Sequence, residues 1–290
     1  MPFFINAPAK VNLNLHITGK RDDGYHTLLT RMQKLDLCDL LELEITDAAG
    51  IELRCIADGV PADDTNLAAQ AAARFLERCG RITDTGVRIT LTKNIPVGAG
   101  LGGGSSDAGA VLKGINTLLD EPLSYADLLD IGTALGADVP FFVSNHAAVF
   151  ATGIGDKLEQ AASADHYHYL LVNPGFPVNT KWVYDNYRLT KKNNKFILRG
   201  SQNIKGQLFA AVQLHNDLER VTLTRYPVLS EIKAALEEAG AAGSLMSGSG
   251  PTVFGLFADR ETGERARWRL EQKYKTETYK FFSAGALAGA

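Results

Sequence analysis

The sequence predicts an α+β fold, because strand and helix patterns are interleaved without the strict alternation of a doubly wound βαβ sheet. Strands dominate the opening, where apolar side chains alternate from Val11 to Ile17 and further apolar runs follow as far as Ile56. Helical spacing then appears, and one glycine-rich stretch, residues 96–110, joins a predicted strand to a predicted helix. These three observations define the fold class.

Periodicity, caps and turn residues predict the elements in order. We expect strands at 10–17, 25–37, 40–45, 51–56, 87–91, 147–151, 167–172, 252–257 and 278–282. We expect helices at 66–79, 108–119, 124–136, 208–214, 227–238 and 260–273, and one that Thr180 caps. Asp64 or Thr65 is the expected cap of the helix 66–79, and Ser124 is the expected cap of the helix 124–136. A soft boundary divides the chain into domains 1–155 and 156–290. The Lys- and Asn-rich residues 190–206 are most simply a surface excursion.

The glycine-rich stretch predicts an anion site. Glycine leaves no Cβ between backbone and ligand, and a helix N-terminus directs unpaired N–H groups and the positive end of its dipole at an anion. Ser105 and Ser106 have hydroxyls suited to capping the helix. A dinucleotide fingerprint matches Gly98, Gly100 and Gly103 only weakly, and the lysine of a P-loop is missing. A plain glycine-rich linker is the simplest alternative.

Composition limits the function classes. The chain has 290 residues, of which 45% are hydrophobic and 22% charged, with a formal net charge of -3, so no basic surplus favours nucleic acid. The three cysteines form no C-x-x-C pair, which indicates a reducing compartment. We expect no membrane span and no leader, and therefore a cytoplasmic protein.

Two polar features are ambiguous from the residues alone. The strand 10–17 places Lys10, Asn12, Asn14 and His16 on one face, which is either solvated or part of a site. Asp138 precedes Val-Pro and two phenylalanines, where it is either an Asx-turn residue or a partly desolvated carboxylate with raised proton affinity.

Six motifs occur together along the whole chain: PAKVNLNL (8–15), DGYHTL (23–28), GLGGGSSDA (100–108), LGADVPFF (135–142), HNDLE (215–219) and SGSGPT (247–252). In this order they resemble the GHMP kinases, the superfamily of galactokinase, homoserine kinase and mevalonate kinase. Within it, they are most similar to the members that act on a cytidine diphosphate compound of the non-mevalonate isoprenoid route.

The resemblance implies an N-terminal domain with a ribosomal-protein-S5-like fold and a ferredoxin-like C-terminal domain. It also implies that ATP, with Mg²⁺, phosphorylates the 2-hydroxyl of 4-(cytidine 5′-diphospho)-2-C-methyl-D-erythritol. The expected binding partner is then this small molecule, and we expect no binding to nucleic acid or to a membrane. The expected oligomeric state is a monomer or a weak homodimer.

By the same resemblance, Asp138 is the general base and Lys10 its electrostatic partner. ATP contacts are implied for Pro96, Val97, Gly98, Ala99, Gly100, Leu101, Gly102, Gly103, Gly104, Ser105 and Ser106, with Asn66 and Lys93 beside the adenine. Substrate contacts are implied for Asn12, Tyr25, His26, Thr180, Tyr184, Gly248 and Ser249. A serine of the loop is a plausible magnesium ligand.

Three rival functions remain at this stage. Another GHMP small-molecule kinase, such as a homoserine kinase, would leave Tyr25 and His26 without a role. A non-catalytic nucleotide sensor would not need both Lys10 and Asp138. An NAD-dependent oxidoreductase would need a doubly wound sheet, which the strand-rich opening disfavours.

Overall fold

The computed structural model describes residues 2–57, 60–189, 213–274 and 278–288, and all structural statements below concern these residues. The strands are β1 (Phe3–Lys20), β2 (His26–Thr46), β3 (Gly50–Ile56), β4 (Gly86–Thr92), β5 (Ala148–Thr152), β6 (Lys157–Gln160), β7 (His168–Asn173), β8 (His215–Asn216), β9 (Gly243–Met246), β10 (Val253–Phe257) and β11 (Lys280–Gly285). The helices are α1 (Leu67–Arg78), α2 (Gly103–Leu118), α3 (Tyr125–Leu135), α4 (Val139–Val143), α5 (Thr180–Asn186), α6 (Glu219–Arg225), α7 (Val228–Glu238) and α8 (Arg260–Lys273). The predicted α+β class is confirmed.

The chain forms two compact units that are not consecutive segments. Unit 1 comprises Met1–Ala9, Cys38–Val97 and Gly102–Asn145, and unit 2 comprises Lys10–Leu37, Gly98–Leu101 and His146–Ala290. The long strands β1 and β2 therefore contribute residues to both units. The domain boundary after Gly155 stays a prediction.

In unit 1, the first four helices and a sheet share one hydrophobic core. Within the sheet, β2 pairs with β4 in antiparallel register and β4 pairs with β3 in parallel register. The apolar faces of α1 and α2 cover this sheet, and the core includes Phe75, Leu112, Ile115 and Leu43. Burial of this apolar surface is the main stabilising contribution to the unit.

Unit 2 contains two sheet regions. The remaining part of β2 pairs with β5, β5 pairs with β6, and β1 pairs with β8 in parallel register. The second sheet has the order β11-β7-β10-β9 and is antiparallel throughout. Its buried side chains, among them Leu170, Val172 and Phe257, pack with Ile232 and Leu236 of α7.

The structure departs from the predicted elements in several places. The two strands expected at 25–37 and 40–45 form the single strand β2, and β6, β8, β9, α4 and α6 were not predicted. The helix expected at 66–79 begins after Asn66, whose side chain accepts from Ala68 N, so the cap is neither Asp64 nor Thr65. Asn179, and not Thr180, caps α5. The predicted helix 208–214 and the stretch 190–206 lie largely or wholly outside the described residues.

Among the described residues, no helix is both long enough and apolar enough to cross a membrane.

Candidate functional site

The first half of the glycine loop, Gly98–Leu101, is held by a second glycine-rich turn of unit 2, residues 247–251, which we call the second glycine turn. Ser247 Oγ donates to Gly100 O at 2.9 Å, and Thr252 N donates to Ala99 O at 3.3 Å. Gly100 has φ +78°, and a Cβ there would overlap the carbonyl oxygen of Ser247. Glycine is therefore required at residue 100 both for its backbone conformation and for the close approach of the turn.

The second half of the loop becomes the first turn of α2 in unit 1. Gly102 is the N-cap with φ 73°, and no side chain caps the helix. The expectation that Ser105 or Ser106 caps it is therefore wrong, since both lie inside the first turn. The N–H groups of Gly103–Ser105 have no intrahelical acceptor and, with the helix dipole, form an anion-binding terminus. Ser106 Oγ is buried and has no hydrogen-bond partner within the described residues.

A buried group of three charges lies beneath this turn. Lys93 Nζ contacts Asp39 and donates to Asp107 Oδ2 at 2.7 Å, and all three side chains are almost fully buried. Asp39 also accepts from the backbone N–H groups of Asn94 and Ile95 at 2.6 and 2.8 Å. This group fixes the end of β4 and the start of α2 relative to each other. Lys93, expected beside the adenine, thus has its amine between two carboxylates.

The polar face of β1 is buried where it was expected to carry function. Lys10, Asn12 and Asn14 are 4%, 3% and 1% exposed, so the solvated alternative is wrong for these three side chains. Lys10 Nζ donates to Asn12 Oδ1 at 2.7 Å, and Asn12 Nδ2 donates to Thr30 Oγ1 at 2.9 Å. A Cβ at Gly248 would lie 3.5 Å from Asn12 Oδ1, which brings the second glycine turn beside this face.

Two of the predicted substrate residues, His26 and Tyr184, lie together in unit 2. The rings of His26 and Tyr184 have centroids 5.5 Å apart, whereas Tyr25 is 63% exposed. Burial, then the charge of Lys20, lowers the pKa of His26, so at neutral pH its ring is neutral and offers one donor and one acceptor. Thr180 Oγ1 and Ser249 Oγ share a hydrogen bond of 2.8 Å, so these two predicted substrate residues are adjacent.

Asp138 immediately precedes α4 in unit 1. Its backbone is helical (φ -85°, ψ -17°), its carbonyl accepts from Phe141 N at 3.2 Å, and its side chain does not cap the helix. The five residues that follow it are fully buried, which fixes the position of its backbone. Asn66, expected near the adenine, caps α1: its side-chain oxygen Oδ1 accepts a hydrogen bond from Ala68 N.

Three residues of structural importance were missed. Asp39 and Asp107 form the buried charge group, and Asn216 anchors the second glycine turn by donating to Met246 O and Gly248 O at 2.8 and 2.7 Å. Asn216 lies in the HNDLE motif and Asp107 in the glycine-loop motif, so the motifs gave a signal for both. Nothing in the sequence indicated a role for Asp39, except that it is a charged residue inside an apolar run.

Two family models match the chain. One, described as GHMP kinases N terminal domain, matches residues 66–146, and the other, GHMP kinases C terminal, matches residues 201–276. These matches and the relatives described next define the class of protein: the chain belongs to the GHMP kinase family, as the motifs predicted. The family implies ATP as the phosphate donor and a small-molecule acceptor.

The relatives of the chain give a finer comparison. It is 46% identical over 261 residues to the 4-diphosphocytidyl-2-C-methyl-D-erythritol kinase of Desulfotalea psychrophila, covering 90% of this chain and 87% of the relative. It is 48% identical over 266 residues to the kinase of the same name from a Geobacter species (strain M21), covering 92% and 93%.

Solved structures agree with these relatives. A crystal structure of 4-(cytidine 5′-diphospho)-2C-methyl-D-erythritol kinase matches with a TM-score of 0.80 and 32% identity over 99% of this chain and 100% of that one. A homoserine kinase from Cytophaga hutchinsonii matches with a TM-score of 0.74 at 20% identity, over 99% of this chain and 95% of that one, and shows a shared fold alone.

Proposed function

We propose that this kinase transfers the γ-phosphoryl group of ATP to the 2-hydroxyl of 4-(cytidine 5′-diphospho)-2-C-methyl-D-erythritol in isoprenoid precursor biosynthesis. The observation that carries the proposal is the 46–48% identity, over most of both chains, to kinases named for this substrate. The buried Lys10–Asn12 pair and the His26–Tyr184 cluster support it, because they provide a charged site and an aromatic site in the same unit.

Phosphoryl transfer requires positioned reactants, neutralised charge and an acceptor for the hydroxyl proton. We assign the proton acceptor to Asp138, whose backbone is fixed by the buried α4. The hydroxyl oxygen forms its bond to the γ-phosphorus as the bond to the ADP oxygen breaks, and the hydroxyl proton passes to the Asp138 carboxylate. Lys10, 4% exposed, supplies a cation that stabilises the negative charge of the transferring group.

We assign the nucleotide phosphates to the N–H groups at the start of α2, with residues 96–106 as the loop that surrounds them. Asn66 and Lys93 border the adenine in this proposal. Mg²⁺, when bound with ATP, would neutralise phosphate charge. Ser105, partly exposed in the first turn of α2, fits a Mg²⁺ ligand better than Ser106, whose hydroxyl is enclosed.

For the acceptor substrate, we assign stacking on cytosine to Tyr25 and Tyr184 and recognition of its polar edge to His26. Asn12, Thr180, Gly248 and Ser249 contact the remainder of the molecule. We also propose that the protein is a cytoplasmic monomer or weak homodimer. We propose no nucleic-acid partner, because the formal net charge is -3 and no basic surplus exists.

A substrate panel tests the reaction. ADP release with Mg²⁺-ATP is measured for the cytidine compound, homoserine and mevalonate, and we expect turnover with the cytidine compound alone. Turnover with homoserine or mevalonate would instead indicate another kinase of the family. Nucleotide binding without ADP release for any acceptor would indicate a sensor.

The assignment of the base is tested with Asp138→Asn. The amide cannot accept the hydroxyl proton, so kcat should fall by roughly 10²–10⁴-fold while the affinity for ATP changes little. Asp130→Asn is the matched control, because Asp130 is an exposed carboxylate on α3 of the same unit and should leave kcat unchanged. Near-normal turnover of Asp138→Asn would reject the assignment.

A further inference from the structure

A cluster of two histidines and one aspartate lies at the pairing of β1 with β8, within unit 2. The ligand atoms of His16, His215 and Asp217 all lie within 4.8 Å of one another. The two imidazole rings have centroids 4.4 Å apart, and His215 Nε2 is 2.9 Å from Asp217 Oδ1. None of these three side chains has a role in the phosphoryl transfer proposed above.

The backbone around this cluster is fixed by hydrogen bonds. The parallel register pairs Asn14 with His215, and Asp217 N donates to Leu15 O at 2.9 Å. Ile17 N donates to Asp217 Oδ2 at 2.8 Å, which orients the carboxylate and directs its other oxygen at His215. Asp217 is 13% exposed and His215 is 48% exposed, so the carboxylate is held while the outer imidazole can rotate.

The side chains are of the kinds that bind transition metals. An imidazole offers a nitrogen lone pair, and an aspartate offers carboxylate oxygens. Two imidazoles and one carboxylate are ligands that borderline transition metals prefer, whereas Mg²⁺ prefers oxygen ligands.

We propose that His16, His215 and Asp217 bind one divalent transition-metal ion of the Zn²⁺ or Co²⁺ class. The His16 and His215 rings are stacked, so their nitrogen lone pairs do not point at one common position. A small rotation of the exposed His215 ring would direct its lone pair at the ion. Three protein ligands leave a position for water, as in other three-ligand zinc sites. The ion would be distinct from any Mg²⁺ that accompanies ATP.

Occupancy of this site would affect the second glycine turn. Asn216 lies between His215 and Asp217 in the sequence, and its side chain donates to Met246 O and Gly248 O. A metal that links β1 to residues 215 and 217 would therefore restrain Asn216 and stabilise the native state over the unfolded chain. The ion is a structural or regulatory ligand and takes no part in proton transfer.

The test is a titration of untagged protein with Co²⁺ in the absence of nucleotide, followed by visible absorption. We expect one equivalent to bind with the d–d bands of a nitrogen- and oxygen-ligated ion, unaffected by excess Mg²⁺, and with a rise in Tm. His16→Gln and His215→Asn each remove one imidazole and should weaken binding by at least about tenfold. His215→Asn retains a donor for Asp217 and thereby preserves the fold.

His166→Ala is the matched control, because His166 is an exposed histidine of unit 2 outside the cluster and should bind Co²⁺ like the wild type. A thiolate-to-cobalt charge-transfer band would assign the binding to Cys38, Cys55 or Cys79 and overturn the proposal. Unchanged affinity in both cluster variants, or no saturable binding at all, would also overturn it. Because no readout uses turnover, these results do not depend on the proposed kinase reaction.

Discussion

At the scale of single residues, Lys93, Asp39 and Asp107 place one cation and two carboxylates where water is excluded. One ammonium cannot neutralise both carboxylates. Desolvation and the charge of Asp39 raise the pKa of Asp107 to about 7, although Lys93 opposes this shift. Burial disfavours the charged form of Lys93, but the two carboxylates outweigh it and raise the pKa of the lysine. The group therefore holds a proton near neutral pH that the unfolded chain would release.

This proton makes stability depend on pH. The unfolded chain releases it near the ordinary value of 3.8, and the folded protein near about 7, so between these values the folded state binds one proton more. The free energy of unfolding consequently falls as pH rises through this window. Asp107→Asn removes the titration, so the stability of the wild type relative to the variant should fall by about 1–2 kcal/mol between about pH 5 and pH 7.

Urea denaturation of both proteins at several pH values measures this difference, and other titrating groups cancel in the comparison. The asparagine retains an oxygen that accepts from Lys93, so the variant should fold. Parallel stability curves for wild type and variant would contradict the raised pKa of Asp107.

His26 provides a second prediction at this scale. Its neutral ring, 5.5 Å from Tyr184 by ring centroid, is the group that we assign to the cytosine edge. His26→Ala should raise KM for the cytidine substrate by about tenfold or more, since the base then lacks its hydrogen-bond partner. KM for ATP should stay unchanged. His26→Gln, which restores a donor and an acceptor, should recover part of the loss, and equal weakening of ATP would reject the assignment.

At the scale of elements, the second glycine turn supports the first half of the glycine loop, Gly98–Leu101. Ser247 and Thr252 bond to the backbone of Gly100 and Ala99, and Asn216 bonds to the turn from β8. The hydroxyl of Ser247, the amide of Asn216 and the backbone N–H of Thr252 therefore hold these two segments, through hydrogen bonds between residues that are distant in sequence.

Gly100→Ala should disrupt this contact. Its positive φ disfavours alanine by about 1–2 kcal/mol, and the overlap of the new Cβ with Ser247 O adds about 1–3 kcal/mol. Gly80→Ala is the matched control, because Gly80 has φ +72° with no atom within 4 Å of an added Cβ. Urea denaturation should show a loss of stability about twice that of the control or more, with weakened ATP binding in Gly100→Ala alone. Equal losses would show that the contact with Ser247 is unimportant.

At the scale of the whole molecule, local pattern predicted most elements, and the motifs predicted the family. Alternation predicted the middle of β1, and the helix cap at Ser124 and the helix Arg260–Lys273 were also predicted. The failures depend on long-range contacts. The charged Asp39 divided β2 in the prediction, yet the strand continues because this carboxylate accepts the backbone N–H groups of Asn94 and Ile95.

In the candidate site too, features that depend on a short segment could be predicted from the sequence, and features that depend on long-range contacts could not. Glycine residues indicated an anion-binding loop, which stays a prediction, because their conformational freedom is visible in a short segment. The polar residues of β1 left both a solvated face and a site open, because burial depends on the rest of the fold. The cluster of His16 with His215 was not predictable, since it depends on the register that pairs Asn14 with His215. The roles of Asp138 and of the substrate residues stay predictions.

The division of β1 and β2 between two units has a consequence for synthesis on the ribosome. Every segment of unit 1 has been translated once Asn145 is added, so this unit can fold on the nascent chain after it leaves the exit tunnel. Lys10–Leu37 are made early, but their partner β5 follows only after Asn145, and their partner β8 is complete only at Asn216. Until then, apolar strand residues of this segment are exposed, and we expect it to be the part of the nascent chain that chaperones bind.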